Sequence, residues 1–362
     1  LAGGTRLFLA GNPRYPHLIH WSDVNNALYF PTTNYAYVGD ATQAITAFGR
    51  QEDALIIFKE RELYAAGYES TTVTAAEVTA GSVGDVTAVS AAFPLTPLSA
   101  GVGCDLPATI RLCHDRLVWA DREGRVHMLL AQSPYSGRNV RTLSATIAPG
   151  LRALSETEWE NASAAVLDGW YLLLTGNTVW ALHYDSPAFV RYAGRSTDAA
   201  AGELLCWFRW DVTVPGVTWQ CVVSREAQAV LYGLQEQDGE LHRLLYTFSG
   251  EEDRIPEGTS FVTQPISFSA ATRCMDAGEE AVRKDITGVR LDHKAATHTR
   301  LMVTLTDDEG GVWRSPYMTA PRGCRLLSGL RQVRKVRLRL NGQGTLAVTG
   351  ITLTGNGTGE VR

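Results

Sequence analysis

Trp170-Tyr171-Leu172-Leu173-Leu174-Thr175-Gly176-Asn177-Thr178-Val179-Trp180-Ala181-Leu182 carries the strongest local structural signal in the chain. Two runs of aliphatic, aromatic and β-branched residues flank a two-residue Gly-Asn link. Both link residues tolerate positive φ, which a tight antiparallel turn demands, so the stretch predicts a β-hairpin. The same grammar recurs on either side. Ala54–Phe58 leads through Lys59–Glu62 into Leu63–Ala66, Leu117–Ala120 leads through Asp121–Gly124 into Val126–Leu129, and Val230–Gly233 leads through Gln235–Gly239 into Leu241–Leu244. Ala27–Phe30 with Tyr35–Val38 is an earlier expected pair. The later turns recur at about 50 to 60 residues, which suits a four-stranded unit with insertions. Stacking such units radially buries their faces and leaves only short edges. A β-propeller of five or six blades is therefore expected over residues 1–258, its first blade open to completion by residues preceding Leu1.

Helix signals are few: Pro149–Glu160 predicts one short helix, and Thr71–Ala80 fits either state. The charged stretch Glu251-Glu252-Asp253-Arg254-Ile255-Pro256-Glu257-Gly258 reads as a linker. Beyond it, Phe261–Phe268, Ile286–Leu291, Leu301–Thr306, Val312–Pro316, Val333–Leu340 and Thr345–Leu353 read as strands. They predict a small antiparallel β-sandwich over residues 259–362. The expected fold class is all-β.

With 45% hydrophobic and 20% charged residues, the 362-residue chain holds enough apolar surface to offset chain entropy, which excludes a disordered protein. No apolar run approaches the length that spans a bilayer, so no transmembrane helix is expected. The net charge of −5 argues against a protein that binds nucleic acid over its whole surface. Charge is uneven, however. Between Gly310 and Arg362 nine Lys or Arg face a single acidic residue, Glu360. In Val336-Arg337-Leu338-Arg339-Leu340 the apolar residues alternate with arginine, so one face is buried and the other is wet or meets a partner. Arg331, Arg334, Lys335, Arg337 and Arg339 are the candidate partner-contact residues. A solvated face is the first reading of them; an acidic protein ring comes next, and DNA phosphates are the least favoured partner. The six Cys are scattered with no CxxC pair, which reads as reduced thiols.

Constellations that suggest chemistry have bland readings beside them. His17, His20 and Asp23 fall short of the convergent ligand set a metal needs, and read as loop residues beside Trp21. Cys113-His114-Asp115 looks like a nucleophile with its base, but adjacent strand residues point to opposite faces. Thr306–Trp313 matches the Asp-box pattern of sialidase-like propellers, where the box is a hairpin turn rather than a catalytic element. Trp207, Trp210 and Trp219 suit core filling before a sugar cleft. Asn161-Ala162-Ser163 is formally a glycosylation sequon with no secretory signal to support it. No catalytic, cofactor-binding or metal residue is expected, and no cofactor.

Several stretches resemble, in order, those of β-propeller structural proteins of tailed bacteriophages and prophages, of the tail or head–tail stabilisation type. They are Arg6-Leu7-Phe8-Leu9-Ala10-Gly11-Asn12-Pro13, His20-Trp21-Ser22-Asp23-Val24-Asn25-Asn26, Ala44–Arg50, Leu55–Glu60, Gly101-Val102-Gly103-Cys104, Val140–Ser144 and Trp207-Phe208-Arg209-Trp210. Thr259–Thr263 and Arg283-Lys284-Asp285-Ile286 continue the likeness into the C-terminal part. The resemblance implies a non-enzymatic virion protein assembled in the bacterial cytoplasm. It implies a homo-oligomeric ring whose partners are portal, connector or tail components, with no membrane. The rival reading is a tail-associated carbohydrate-binding or carbohydrate-active propeller.

Overall fold

The computed structural model describes residues 5–79, 82–132, 139–194, 205–225, 228–237, 239–247, 252–257, 260–276 and 282–360. Contacts divide the chain into Leu1–Phe248 and Ser249–Arg362. The protein is all-β. Among the described residues helix is confined to one 3-10 turn and three short segments, Ala148–Arg152, Glu156–Glu160 and Pro187–Ala193.

The Gly-Asn stretch forms the predicted hairpin. Trp170–Thr175 and Thr178–His183 pair with Thr175 opposite Thr178, and Gly176 takes φ +52° at the turn. Both faces of this hairpin are covered, which is why it reads as a near-continuous apolar run rather than an alternating one. Tyr171, Leu173, Trp180 and Leu182 enter one core, while Leu172, Leu174, Val179 and Ala181 enter the next.

Among the described residues of the first unit, five antiparallel sheets of three or four strands follow one another. The first holds Phe8–Leu9, Leu18–Trp21 and Tyr35–Tyr37. The second holds Ile45–Gln51, Ala54–Lys59, Leu63–Ala66 and Leu95–Ser99, with a long hairpin (Glu69–Thr79 and Ser82–Ala92) inserted before its last strand. The third holds Arg111–Cys113, Arg116–Asp121, Arg125–Leu129 and Val140–Thr142. The fourth adds Ser163–Leu167 and Trp207–Asp211 to the central hairpin. The fifth holds Val217–Arg225, Gln228–Gln237 and Glu240–Thr247. Each sheet shares a core with the next: first with second, second with third, third with fourth, fourth with fifth.

Polar bonds cross the same junctions. The buried Gln51 side chain donates to the Leu129 carbonyl (3.2 Å) and accepts from the Leu117 N–H (2.8 Å), tying second to third. The Tyr171 hydroxyl donates to the Thr109 carbonyl at 2.9 Å, and the Val222 N–H donates to Ser163 Oγ at 2.9 Å. Such bonds fix one stacking arrangement where apolar contact alone tolerates slippage.

The second unit contains a sandwich of two antiparallel sheets sharing one core. The four-stranded sheet runs in the order Ser267–Ala271, Val336–Gln343, Arg300–Asp307, Val312–Arg314. The three-stranded sheet runs Arg322–Val333, Val282–Ala295, Leu346–Glu360. Leu301, Val303, Leu305, Val336, Leu338 and Leu340 from the first sheet meet Ile286, Val289, Leu291 and Leu330 from the second.

Four local expectations are corrected. Tyr35–Tyr37 pairs with Leu18–Trp21, not with Ala27–Phe30. The side chains of Leu28 and Tyr29 are exposed, and Asn25 at φ +54° turns the chain just before them. Pro149–Glu160 is broken into two helices, because Ser155 is extended and caps the second with its N–H and hydroxyl on Glu158. The expected linker holds a strand, Glu252–Glu257, paired with Ser260–Pro265. Val333–Leu340 is two strands parted at Arg334-Lys335, after Gln332 at φ +58°.

Candidate functional site

The alternation in Val336–Leu340 is realised: Val336, Leu338 and Leu340 are buried while Arg337 and Arg339 are exposed. Antiparallel register then extends this outer face across the four-stranded sheet. Arg339 lies opposite Thr304, and Thr304 lies opposite Arg314. Arg337 lies opposite Thr306, and Arg300 lies opposite Gln343. Directly paired residues point the same way, so Arg300, Arg314, Arg337 and Arg339 share one face. All four are exposed. The other outward ladder positions are Ser267, Ser269, Ala271, Met302, Thr304, Thr306, Val312, Asn341 and Gln343, with no carboxylate among them. Among the described residues no Asp or Glu engages any of these four guanidinium groups.

The structure therefore divides the five sequence candidates. Arg337 and Arg339 sit on this face. Arg331 is exposed on a strand of the other sandwich sheet. Arg334 and Lys335 are half-buried at the junction between the sheets, where the Lys335 N–H donates to Asp308 (3.2 Å) and helps hold that carboxyl below its usual range. Arg300 and Arg314 were missed. Each stands alone in its own strand, so only register across the sheet joins them to the pair.

The Asp-box stretch is a closed turn. Asp307 accepts from the N–H groups of Glu309 and Gly311, Gly310 takes φ +94°, and Trp313 packs on the core. Glu309 is drawn to Arg283 at 3.1 Å.

The remaining constellations are dispersed into structure. Burial pushes the Cys113 thiol well up, His114 stands in a turn at φ +53° against Asp185 (2.9 Å), and Asp115 pairs with Arg116. Cys104 is likewise pushed up to about 12 by burial, so neither thiol is a ready nucleophile. His17 stacks on Tyr37, His20 leans on Tyr35, and Asp23 turns to Arg6. Among the described residues no three His, Cys, Asp or Glu side chains converge as a metal site would. Trp207 donates its indole N–H to the Leu143 carbonyl and the buried Trp219 donates to that of Val212, while Trp210 packs on the core between fourth and fifth sheets. Asn161 follows the second short helix.

A cleft of about 390 Å³ lies where the fourth and fifth sheets meet, lined among others by Glu158, Arg209, Asp211 and Trp219. Both carboxyls lie below their usual range. The Ser155 N–H and hydroxyl hold Glu158 down, and the Thr213 hydroxyl and N–H hold Asp211 down. Glycoside hydrolysis needs one carboxyl kept protonated as the acid. This pair is tuned the opposite way.

The first sheet presents a different surface. One face, with Phe8, Ile19 and Trp21, enters the core shared with the second sheet. The other carries Leu9, His20 and Tyr35 in one row, and in the next Tyr37 beside a buried Leu18. Tyr35 and Tyr37 meet edge to face at 5.8 Å, and are 46% and 51% exposed.

No family model matches the chain, and no curated protein does. Among solved structures, an exo-β-1,3-galactanase from Phanerochaete chrysosporium aligns over 95% of each chain at 11% identity and a TM-score of 0.26. A GH32 β-fructofuranosidase from Bombyx mori aligns over 95% of this chain and 87% of its own, at 12% identity and 0.22. Likeness at these scores carries no inference about this chain.

Proposed function

We propose that this chain is a non-enzymatic structural protein of a tailed-phage or prophage virion. In this reading its five sheets close into a propeller, and copies assemble as a ring at the head–tail connector or tail. The observation that carries the contact mode is the outer face of the first sheet. A sheet with one face in a core and tyrosines, leucine and histidines on the other has the composition of an interface centre. Tyrosine supplies large amphipathic contact area at small entropic cost, and its hydroxyl stays satisfied by water until a partner arrives. The occupant we assign is a neighbouring copy.

Light scattering on the full chain tests this. Association above the 39.4 kDa of one chain is expected, with loss of association in the Tyr35→Glu/Tyr37→Glu variant. A wild-type monomer at high micromolar concentration would overturn the reading.

The rival sugar-binding reading has one observation in its favour. Trp170 stacks on His183 at 4.5 Å and meets the exposed Phe208 at 5.4 Å, leaving an aromatic ledge on the fourth sheet. Binding in a glycan screen that is lost on Phe208→Ala would shift the assignment to it.

A further inference from the structure

We infer that the outer face of the four-stranded sandwich sheet docks on the phosphate backbone of double-helical DNA. The inference is independent of the virion reading, because it rests on one face alone.

Four features select this partner. First, the charge is of one sign and unspent: Arg300, Arg314, Arg337 and Arg339 are exposed and share a face without a carboxylate. On the other sandwich sheet, the exposed Arg290 is already held by Asp292 at 3.0 Å. Second, the residue type is right. Arginine's planar fork matches phosphate oxygens in a two-point contact, and all four positions are arginine.

Third, the accessible positions among and beside them are polar: Thr306, Asn341, Gln343, Ser267 and Ser269. Such side chains contact phosphates in the positioning layer of protein–DNA interfaces. Fourth, the spacing gives a flat patch. Arg337 and Arg339 are two residues apart on one strand, about 7 Å, and Arg314 lies two strands from Arg339, about 10 Å. A duplex carries one negative charge per roughly 1.7 Å of axis, so several phosphates lie within reach of such a patch at once.

The alternatives fit less well. A protein partner wants aromatic or aliphatic anchors at the centre of its interface, and the ladder positions of this face offer only Met302 and Val312, with Tyr317 at the edge. A single strand wants several aromatic platforms for its bases, and Tyr317, exposed at the edge beyond Met302, is the one aromatic this face offers among the described residues. The unit Ser249–Arg362 holds sixteen Lys or Arg against thirteen Asp or Glu, a net of +3, although the whole chain is at −5. Attraction to a polyanion is thus local to this unit.

The test is fluorescence anisotropy of the full chain with a labelled 30-base-pair duplex of arbitrary sequence, across a salt series. Four phosphate contacts predict a slope of log K against log salt near about −3.6, or roughly 150-fold weaker binding at 200 mM than at 50 mM. Arg337→Gln/Arg339→Gln should flatten the slope to about −1.8. Arg337→Lys/Arg339→Lys, which keeps the charge, should leave it near the wild-type value. Arg290→Gln/Arg325→Gln, on the other sheet, should leave it unchanged. Four results would overturn the inference: no duplex binding at low salt, an unaltered slope in the first variant, tighter binding to the single strand, or displacement of the duplex by equimolar polyglutamate.

Discussion

Lys59 lies at the end of a second-sheet strand with its side chain wholly buried, and replacing it by methionine is the most informative single perturbation of the stack. Its ammonium group has three hydrogens to place. It donates to the Val38 carbonyl (3.0 Å) and the Asp40 carbonyl (2.5 Å), and meets the Glu62 carboxylate at 3.3 Å. The Val38 and Asp40 contacts fasten the segment joining first and second sheets. Methionine fills the volume but leaves the two carbonyls without this donor and the mostly buried carboxylate without its cation, the Tyr64 hydroxyl at 3.2 Å alone remaining on it. Removing one member of a buried ion pair costs about 3–5 kcal/mol, because the stranded charge stays desolvated. For a unit of this size that is a fall of about 6–20 °C in unfolding temperature. Lys59→Met/Glu62→Gln should recover part of the loss, since no charge is then stranded. Differential scanning calorimetry of the full chain reads both variants. A fall under about 3 °C in the single variant, or no recovery in the double, would show that Lys59 does not hold this junction.

Four further outcomes are expected. Asp121 is penalised by burial, yet hydrogen bonds and charge from His127 and Arg125 outweigh that and hold its carboxyl below the ordinary range. A depressed folded pKa contributes stability above the unfolded value, near 3.9, that is lost as pH falls through the folded one. Thermal stability should therefore fall as pH drops below about 4 in wild type, and fall less in Asp121→Asn. On one strand, Leu338→Ala should cost about 2–5 kcal/mol by urea unfolding, while Arg339→Gln stays within about 0.5 kcal/mol; equal effects would contradict the register. At the Gly-Asn turn, a Cβ on Gly176 would adopt positive φ and approach Glu158 to 2.9 Å, so Gly176→Ala should destabilise by about 1–2 kcal/mol in the same assay. Gln51→Leu strands the buried Leu129 carbonyl and Leu117 N–H between second and third sheets, and should lower calorimetric stability by about 1–3 kcal/mol.

Much of the architecture was legible because hairpins are local. Gly176-Asn177 encodes its turn within two residues, and the runs beside it are apolar on both faces because both faces meet another sheet. The pairing of Leu18–Trp21 with Tyr35–Tyr37 was hidden because Ala27–Phe30 carries strand-like residues nearer in sequence, and only packing decides that Ile19 and Trp21 are the buried pair. Glu252–Glu257 reads as linker by charge and proline, although it pairs with Ser260–Pro265. The arginine face was half legible. Alternation exposes Arg337 and Arg339 from sequence alone, whereas Arg300 and Arg314 join them only through strand order, which a single sequence does not carry. Lys59 was equally hidden: it reads as a turn residue, and only the carbonyls brought over it explain its burial.

In the proposed reading the chain works through its faces, as an assembled scaffold, rather than through a pocket. Electron-microscope imaging of the purified full chain at micromolar concentration decides between the two. Closed rings of uniform diameter that dissociate on Tyr35→Glu/Tyr37→Glu are predicted. Single particles of one-chain size, together with binding or cleavage of an oligosaccharide at the Glu158–Asp211 cleft, would contradict it.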